Sequence, residues 1–146
     1  MKRIFAFLIT VMAVWASGVE AQYTTNRVGN YTYTTGPRTN LTATRVGNYV
    51  YTSGTLNGQR YNTTTSRVGN YDYTSGSYGQ SRVSGSSTRV GSYIYGSGTV
   101  GSSRYNTTTS RVGNSAYTTG RIGSTSIGST STRVGSYTYT TVRPRR

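Results

Sequence analysis

Residues 44–52 read Thr-Arg-Val-Gly-Asn-Tyr-Val-Tyr-Thr, and this stretch predicts a β-hairpin. Val, Tyr and Thr favour strands, and the alternation of residue types on both sides of Gly47-Asn48 is typical of paired strands. Gly followed by Asn suits a two-residue type II′ turn. Because side chains alternate across a sheet, this turn would place Arg45 opposite Val50 on one face and the Tyr residues on the other.

The hairpin recurs along the chain. The motif R-V-G-[NS] begins at six arginines, separated first by 18 residues and then four times by 22: Arg27, Arg45, Arg67, Arg89, Arg111 and Arg133. The first unit is four residues short, and the missing residues fall in the Gly-rich link between hairpins. Since loops tolerate deletions, we expect the link to be a loop.

The six units predict an all-β fold, an antiparallel β-meander of tandem 22-residue repeats over residues 22–142, with two strands per unit. In this register Arg67 would lie opposite Asp72. One alternative is a β-solenoid with one coil per unit, in which the arginines would stack in a column of like charge. A second alternative is a chain that is partly disordered when alone, because its apolar content is low and its charge is high.

The two ends of the chain differ from the repeats. Residues 1–21 have a basic start, an apolar run over residues 4–15 and small side chains before the expected cleavage site, which predicts a secretory signal peptide. The apolar run is shorter than the roughly 20 residues that a membrane helix needs. We therefore expect a mature chain without a transmembrane segment that is extracellular, at the cell surface or in the periplasm. Residues 143–146 are expected to be a frayed basic tail.

The composition argues against an enzyme. The chain has no His and no Cys, and it has 2 Asp and Glu residues against 16 Lys and Arg, for a formal net charge of +14. Glu20 lies in the predicted signal peptide, which leaves Asp72 as the one carboxylate of the mature chain. A single carboxylate forms neither an acid–base pair nor a metal cage, and no imidazole or thiolate is available. We predict no catalytic, metal-binding or cofactor-binding residues.

Tyrosine forms the first candidate surface. Outside the predicted signal peptide every aromatic residue is Tyr, and most occur as Y-x-Y pairs whose rings point to the same face. The rings either fill the hydrophobic side of the sheet or form an exposed row for adhesion or for stacking on sugar rings. The predicted aromatic face comprises Tyr49, Tyr51, Tyr71, Tyr73, Tyr93, Tyr95, Tyr137 and Tyr139.

Arginine forms the second candidate surface. A guanidinium binds sulfate, phosphate or carboxylate with two hydrogen bonds, so a regular row would attract an anionic polysaccharide or another cell-surface polyanion. A solvated row that keeps the chain soluble explains the same pattern. No nucleic-acid motif is present, and specific nucleic-acid recognition is not expected. The predicted polyanion-binding residues are Arg45, Arg67, Arg89, Arg111 and Arg133.

The units R-V-G-N-Y-T-Y, R-V-G-N-Y-V-Y and R-V-G-S-Y-I-Y resemble tandem R-[IV]-G-N-x-x-Y repeats of uncharacterised secreted bacterial proteins, over roughly residues 26–142. The resemblance implies secretion and repetition, and it implies no activity. The leading hypothesis is a secreted, non-enzymatic structural or adhesive protein of a cell surface or extracellular matrix, which self-associates through Tyr-rich faces and exposed strand edges. The alternative is a binding module for a polyanion, and a remote alternative is ice binding by the Thr runs.

Overall fold

The computed structural model describes residues 21–145, which form twelve antiparallel strands and, within that range, no helix. The strands are β1 (Ala21–Val28), β2 (Tyr31–Gly36), β3 (Thr39–Val46), β4 (Tyr49–Leu56), β5 (Gln59–Val68), β6 (Tyr71–Tyr78), β7 (Ser81–Val90), β8 (Tyr93–Val100), β9 (Ser103–Val112), β10 (Ser115–Ile122), β11 (Thr125–Val134) and β12 (Tyr137–Arg145). Each strand pairs with its neighbours in sequence, and β1 also pairs with β12, so the sheet closes into a barrel. The predicted antiparallel meander is confirmed.

The R-V-G motifs form the turns at one end of the barrel, here called the R-V-G end. In the second unit, Gly47 has φ +58° and the residue after it has a negative φ, as a type II′ turn requires. The predicted register is present, because Arg45 pairs with Val50 and Arg67 pairs with Asp72. A two-residue turn fixes the pairing of the strands that it joins, which is why this local prediction succeeded.

The Gly-rich links are hairpins rather than loops, which corrects the prediction; their turns form the other end of the barrel, here called the link end. For example, β4 and β5 pair up to Leu56 and Gln59, which leaves Asn57-Gly58 as a two-residue turn with φ +52° and +81°. The four missing residues of the first unit come from its strands. β2 and β3 have 6 and 8 residues, whereas β4 and β5 have 8 and 10.

A difference of two residues between the two strands of each link hairpin is therefore kept in the short unit and in the long ones. Because of this difference, successive units are staggered along the wall. A path that steps from each residue to its paired residue on the next strand returns to β1 about 12 residues away from its starting point. This displacement is the shear of the barrel, and it sets the tilt of the twelve strands. Closure leaves no free edge among the described strands, so the expected association through edges has no surface to use.

The hydrophobic core lies inside the barrel near the link end. Most of its residues flank the link turns, and the whole cluster comprises Ala21, Tyr23, Leu41, Leu56, Tyr61, Tyr78, Val83, Val100, Tyr105, Ile122, Ile127 and Val142. Inward-facing glycines make room for its rings. A Cβ atom at Gly36 would collide with the ring of Tyr23, and one at Gly85 would collide with the hydroxyl of Tyr105.

Threonines line the inner wall between this core and the R-V-G end. Some of their hydroxyls pair across neighbouring strands, with Oγ1 atoms 2.8 Å apart for Thr65 and Thr74 and 2.8 Å apart for Thr109 and Thr118. Such pairs satisfy hydroxyls that would otherwise be costly to bury. The inner face therefore changes along the barrel axis from apolar to hydroxyl-lined.

Both ends of the described chain take part in closing the barrel. The predicted signal peptide lies outside the described residues except for Ala21, which is buried in β1 and pairs with Val142. At the other end, Arg143 pairs with Gly128 and Pro144 pairs with Ile127, so β12 continues to Arg145. The basic tail is thus part of the sheet as far as residue 145, and the expectation that it is frayed is wrong for those residues.

Candidate functional site

The Y-x-Y tyrosines lie on the outer face of the barrel near the R-V-G end. Their exposed fractions range from 41% to 51%, and those of the valines in the R-V-G motifs range from 59% to 68%. These residues encircle the barrel and are called the aromatic belt: Tyr31, Tyr33, Tyr49, Tyr51, Tyr71, Tyr73, Tyr93, Tyr95, Tyr117, Tyr137 and Tyr139, with Val28, Val46, Val68, Val90, Val112 and Val134. The alternative in which these tyrosines fill the hydrophobic side of the sheet is wrong.

The rings within each Y-x-Y pair stand side by side along their strand. Their centroids are 6.2–6.4 Å apart and their planes differ by 19–25°. The pairs occur on alternate strands, which places neighbouring pairs roughly 10 Å apart around the barrel. The belt is thus a series of parallel flat rings that expose part of their faces, interrupted on β10, where Ser115 replaces the first Tyr of the pair.

Charge is kept away from the belt by the alternation of side chains. The R-V-G arginines pair with inward-facing residues such as Val50 and Ile94, so they lie on the inner side of the wall. Among the described residues, no charged side chain lies on the outer face within the belt. Two copies of the belt can therefore come into contact without burying a charge.

The R-V-G arginines line the mouth of the barrel, and their side chains brace the turns. In four units the Nε–H group donates to the carbonyl of the turn glycine two residues later, at 2.9–3.2 Å: Arg27 to Gly29, Arg45 to Gly47, Arg67 to Gly69 and Arg133 to Gly135. The structure thus brings the predicted polyanion-binding arginines together at one level. The bracing bond also explains why Arg recurs at this position without requiring a ligand.

Asp72 lies on the inner wall beneath the mouth, opposite Arg67. It is 7% exposed, and its Oδ2 atom has no hydrogen-bond partner. Burial raises the pKa of the Asp72 carboxyl above its usual value, against the attraction of Arg67, Arg45 and Arg89, which lowers it. The equivalent residues of neighbouring units, such as Val50, are apolar, so this carboxylate is a local exception within the repeat.

Sequence reasoning identified Arg143 as part of the basic tail but missed the other members of a second set of arginines, here called the outer arginines. They lie exposed on the outer wall or in a turn near the link end and comprise Arg38, Arg60, Arg82, Arg104, Arg121 and Arg143. The first four are separated by 22 residues each, and that spacing is the signal that could have found them. The outer surface is therefore divided into a charge-free aromatic end and a cationic end.

The chain matches no known protein family, no curated protein and no solved structure. The fold and the surface define only a class, a closed antiparallel barrel of tandem hairpin units with an aromatic belt. The resemblance to secreted bacterial repeat proteins stays a prediction. Residues 21–145 contain no helix with the length and apolar character needed to cross a membrane.

Proposed function

We propose that this protein is a secreted, non-enzymatic adhesive or structural protein that associates with copies of itself through the aromatic belt. The observation that carries the proposal is that eleven Tyr and six Val residues form one charge-free outer band. Soluble monomers rarely expose large contiguous apolar patches, and such patches are typical of interaction surfaces. Because the strands formed by residues 21–145 leave no free edge, association would occur face to face between belts.

The distribution of charge gives this association a dependence on salt. The outer arginines repel one another across two approaching copies, and the described part of the chain offers Asp72 as its one carboxylate, which is buried. Screening weakens the repulsion, since the Debye length falls from about 30 Å at 0.01 M salt to about 3 Å at 1 M. Contact between apolar rings is strengthened rather than weakened by sulfate and similar salts.

The test is sedimentation velocity of the purified protein over this range of salt. We expect the mean mass to rise with salt. Replacing belt tyrosines by the strand former Thr, as in Tyr49→Thr with Tyr51→Thr, should lower the association. Replacing outer arginines, as in Arg82→Gln with Arg104→Gln, should raise it at low salt. A mass that does not change with salt, or a Thr variant that associates like the parent, would contradict the proposal.

The second candidate function is binding of an anionic polymer. The observation in its favour is the ring of outer arginines, because a long chain can lie along the outer wall and contact several of them. The R-V-G arginines, which the sequence singled out, would meet only anionic groups that enter the mouth. The variant in which Arg60, Arg82 and Arg104 are all replaced by Gln should elute from a heparin column at much lower salt than the parent. Equal elution of this variant and the parent would rule out the outer wall as the binding surface.

A further inference from the structure

We propose that the outer wall of strands β6 to β10 carries a binding groove for a neutral oligosaccharide. The proposal rests on the proposed adhesive function and names a ligand class for it. The groove has a volume of about 490 Å³, within the range of about 300–1,000 Å³ found for small-molecule sites. Its outer lining includes Tyr71, Tyr95, Ser86, Ser97, Asn106 and Thr108.

The groove lies over the inward-facing glycines Gly96 and Gly120 and borders the part of the wall that has the smallest inward-facing residues. Gly85 pairs with Gly98, and Gly96 replaces the Thr that the preceding unit has at position 74. A Cβ atom at Gly85 or Gly98 would collide with the hydroxyl of Tyr105, so the wall lies directly on that ring. We attribute the concave outer surface to this close approach, because a wall without inner side chains can move toward the barrel axis.

The lining has the chemistry that a sugar needs. Tyr71 is 50% exposed and Tyr95 is 46% exposed, so each offers part of a flat ring on which the C–H face of a pyranose can stack. The hydroxyls of Ser86 and Ser97 and the amide of Asn106 can donate to and accept from sugar hydroxyls.

The absence of charge in the lining selects the ligand class. None of the residues that line the groove carries a charge at neutral pH. A phosphate, sulfate or carboxylate would therefore find no cation there, and its desolvation would not be compensated. A neutral sugar loses only hydrogen bonds that the lining can replace. This distinguishes the groove from the arginine surfaces, to which a polyanion would bind.

The test is isothermal titration of the purified protein with cellohexaose, chitohexaose and maltohexaose, at a concentration where sedimentation shows a monomer. We expect saturable 1:1 binding of at least one of them. Tyr95→Ala should weaken that binding about ten-fold, by loss of the stacking surface. Asn106→Ala should weaken it about five-fold, by loss of a hydrogen-bonding group.

The repeat supplies matched controls, because the same positions of the unit occur 44 residues earlier, away from the groove. Tyr51→Ala and Asn62→Ala should leave binding within about two-fold of the parent. A variant that fills the groove, Ser97→Trp, should abolish binding, whereas Ser53→Trp should not. These outward positions do not contribute to the core, so circular dichroism should report a folded barrel in each case.

The proposal is overturned if none of the three hexaoses binds saturably, or if the control variants weaken binding as much as the groove variants do. It is also overturned if dextran sulfate competes at the groove with an affinity that falls steeply with salt. Sedimentation of the parent protein separates this outcome from the adhesive proposal. A parent that self-associates with rising salt but binds none of the sugars would refute the groove alone, and a parent that binds a sugar but does not self-associate would refute the belt alone.

Discussion

Replacing Asp72 by Val should stabilise the barrel at neutral pH. Asp72 is 7% exposed on the inner wall, and its Oδ2 atom has no hydrogen-bond partner. The preceding and following units place Val50 and Ile94 at the same position, which shows that the wall accepts an apolar side chain there. The substitution therefore gives the third unit the residue type that its neighbours already have.

Two opposing effects decide the size of the change. A buried acceptor without a partner costs about 1–3 kcal/mol, and that cost disappears in the variant. The attraction between Asp72 and Arg67 is also lost, but Arg67 is only half-buried and its Nε–H group donates to the Gly69 carbonyl, so we expect this pair to contribute under about 1 kcal/mol. The relief of burial is larger, so we expect the free energy of unfolding to rise by about 1–2 kcal/mol. For a domain of this size each kcal/mol corresponds to roughly 4 °C in Tm.

The pH dependence checks the cause. Burial raises the pKa of the Asp72 carboxyl in the folded state, so the folded chain holds a proton that the unfolded chain has already released. The contribution of this group to stability is therefore greatest below its usual pKa and declines as the pH rises past it. The advantage of Asp72→Val should be largest near pH 7 and should shrink toward about pH 3, where the carboxyl is protonated in both states.

Urea unfolding followed by far-UV circular dichroism at both pH values measures this difference. Val50→Asp is the matched control, and it should lower the unfolding midpoint at neutral pH. If Asp72→Val unfolds at lower urea than the parent at pH 7, the reasoning is refuted. Asp72 would then be the counter-charge that holds the arginines of the mouth together.

Three further predictions concern the buried tyrosines, the glycines and the link turns. Burial raises the pKa values of Tyr61 and Tyr105 to about 12. The free energy of unfolding should therefore be unchanged below pH 10 and should fall as the pH rises from about 10 to 12. Urea unfolding at each pH measures this fall, which should be smaller in Tyr61→Phe. Gly98→Ala should cost about 1–3 kcal/mol because its Cβ meets backbone, whereas Gly47→Ala should cost about 1 kcal/mol, from its positive φ in open space; their unfolding midpoints give the comparison. Replacing residues 55–60 by Pro-Arg shortens β4 and β5 by two residues each, as in the first unit, and the far-UV circular dichroism spectrum should remain that of a β protein. Deleting only residues 55 and 56 shortens one strand of the pair, and this variant should lose the β spectrum.

Local features of the fold could be read from the sequence, and features that depend on distant residues could not. The R-V-G turn sets the pairing of Arg45 with Val50 within nine residues, and that pairing is present. Closure depends on the summed stagger of all units and on the contact between β1 and β12, which no single motif encodes. The link sequence predicts a loop because its Gly and polar residues are typical of one, whereas in the barrel the same residues form a tight turn and the strand ends beside it.

The sequence does contain the signal for the core. Apolar residues of varying identity recur every 22 positions before each long link turn, at Leu56, Tyr78, Val100 and Ile122, and a second series follows the turns. Arg67 follows Tyr61 by six residues, and residues an even number apart share a face of a strand, so Arg67 lies on the same inner face as the core. The turn alone shows which residues share a face. The link residues decide which face is inside, and that is why the turn motif by itself does not predict the orientation of the Y-x-Y tyrosines.

The shape of the belt bears on the kind of assembly that it can form. A partner that binds one side of a barrel covers only a sector of its circumference, so the remaining Y-x-Y pairs stay exposed. A closed dimer would cover the belt in one sector, whereas the other five repeat units present nearly the same tyrosine and valine patch in other directions. Each bound copy thus brings new belt surface into reach of further copies, and weak contacts gain strength from their number.

The arrangement favours an open network over a defined oligomer, so sedimentation at rising salt should show a broadening distribution of masses. A single sharp dimer peak would contradict this argument, because one pair of sectors would then be enough to cover the belt.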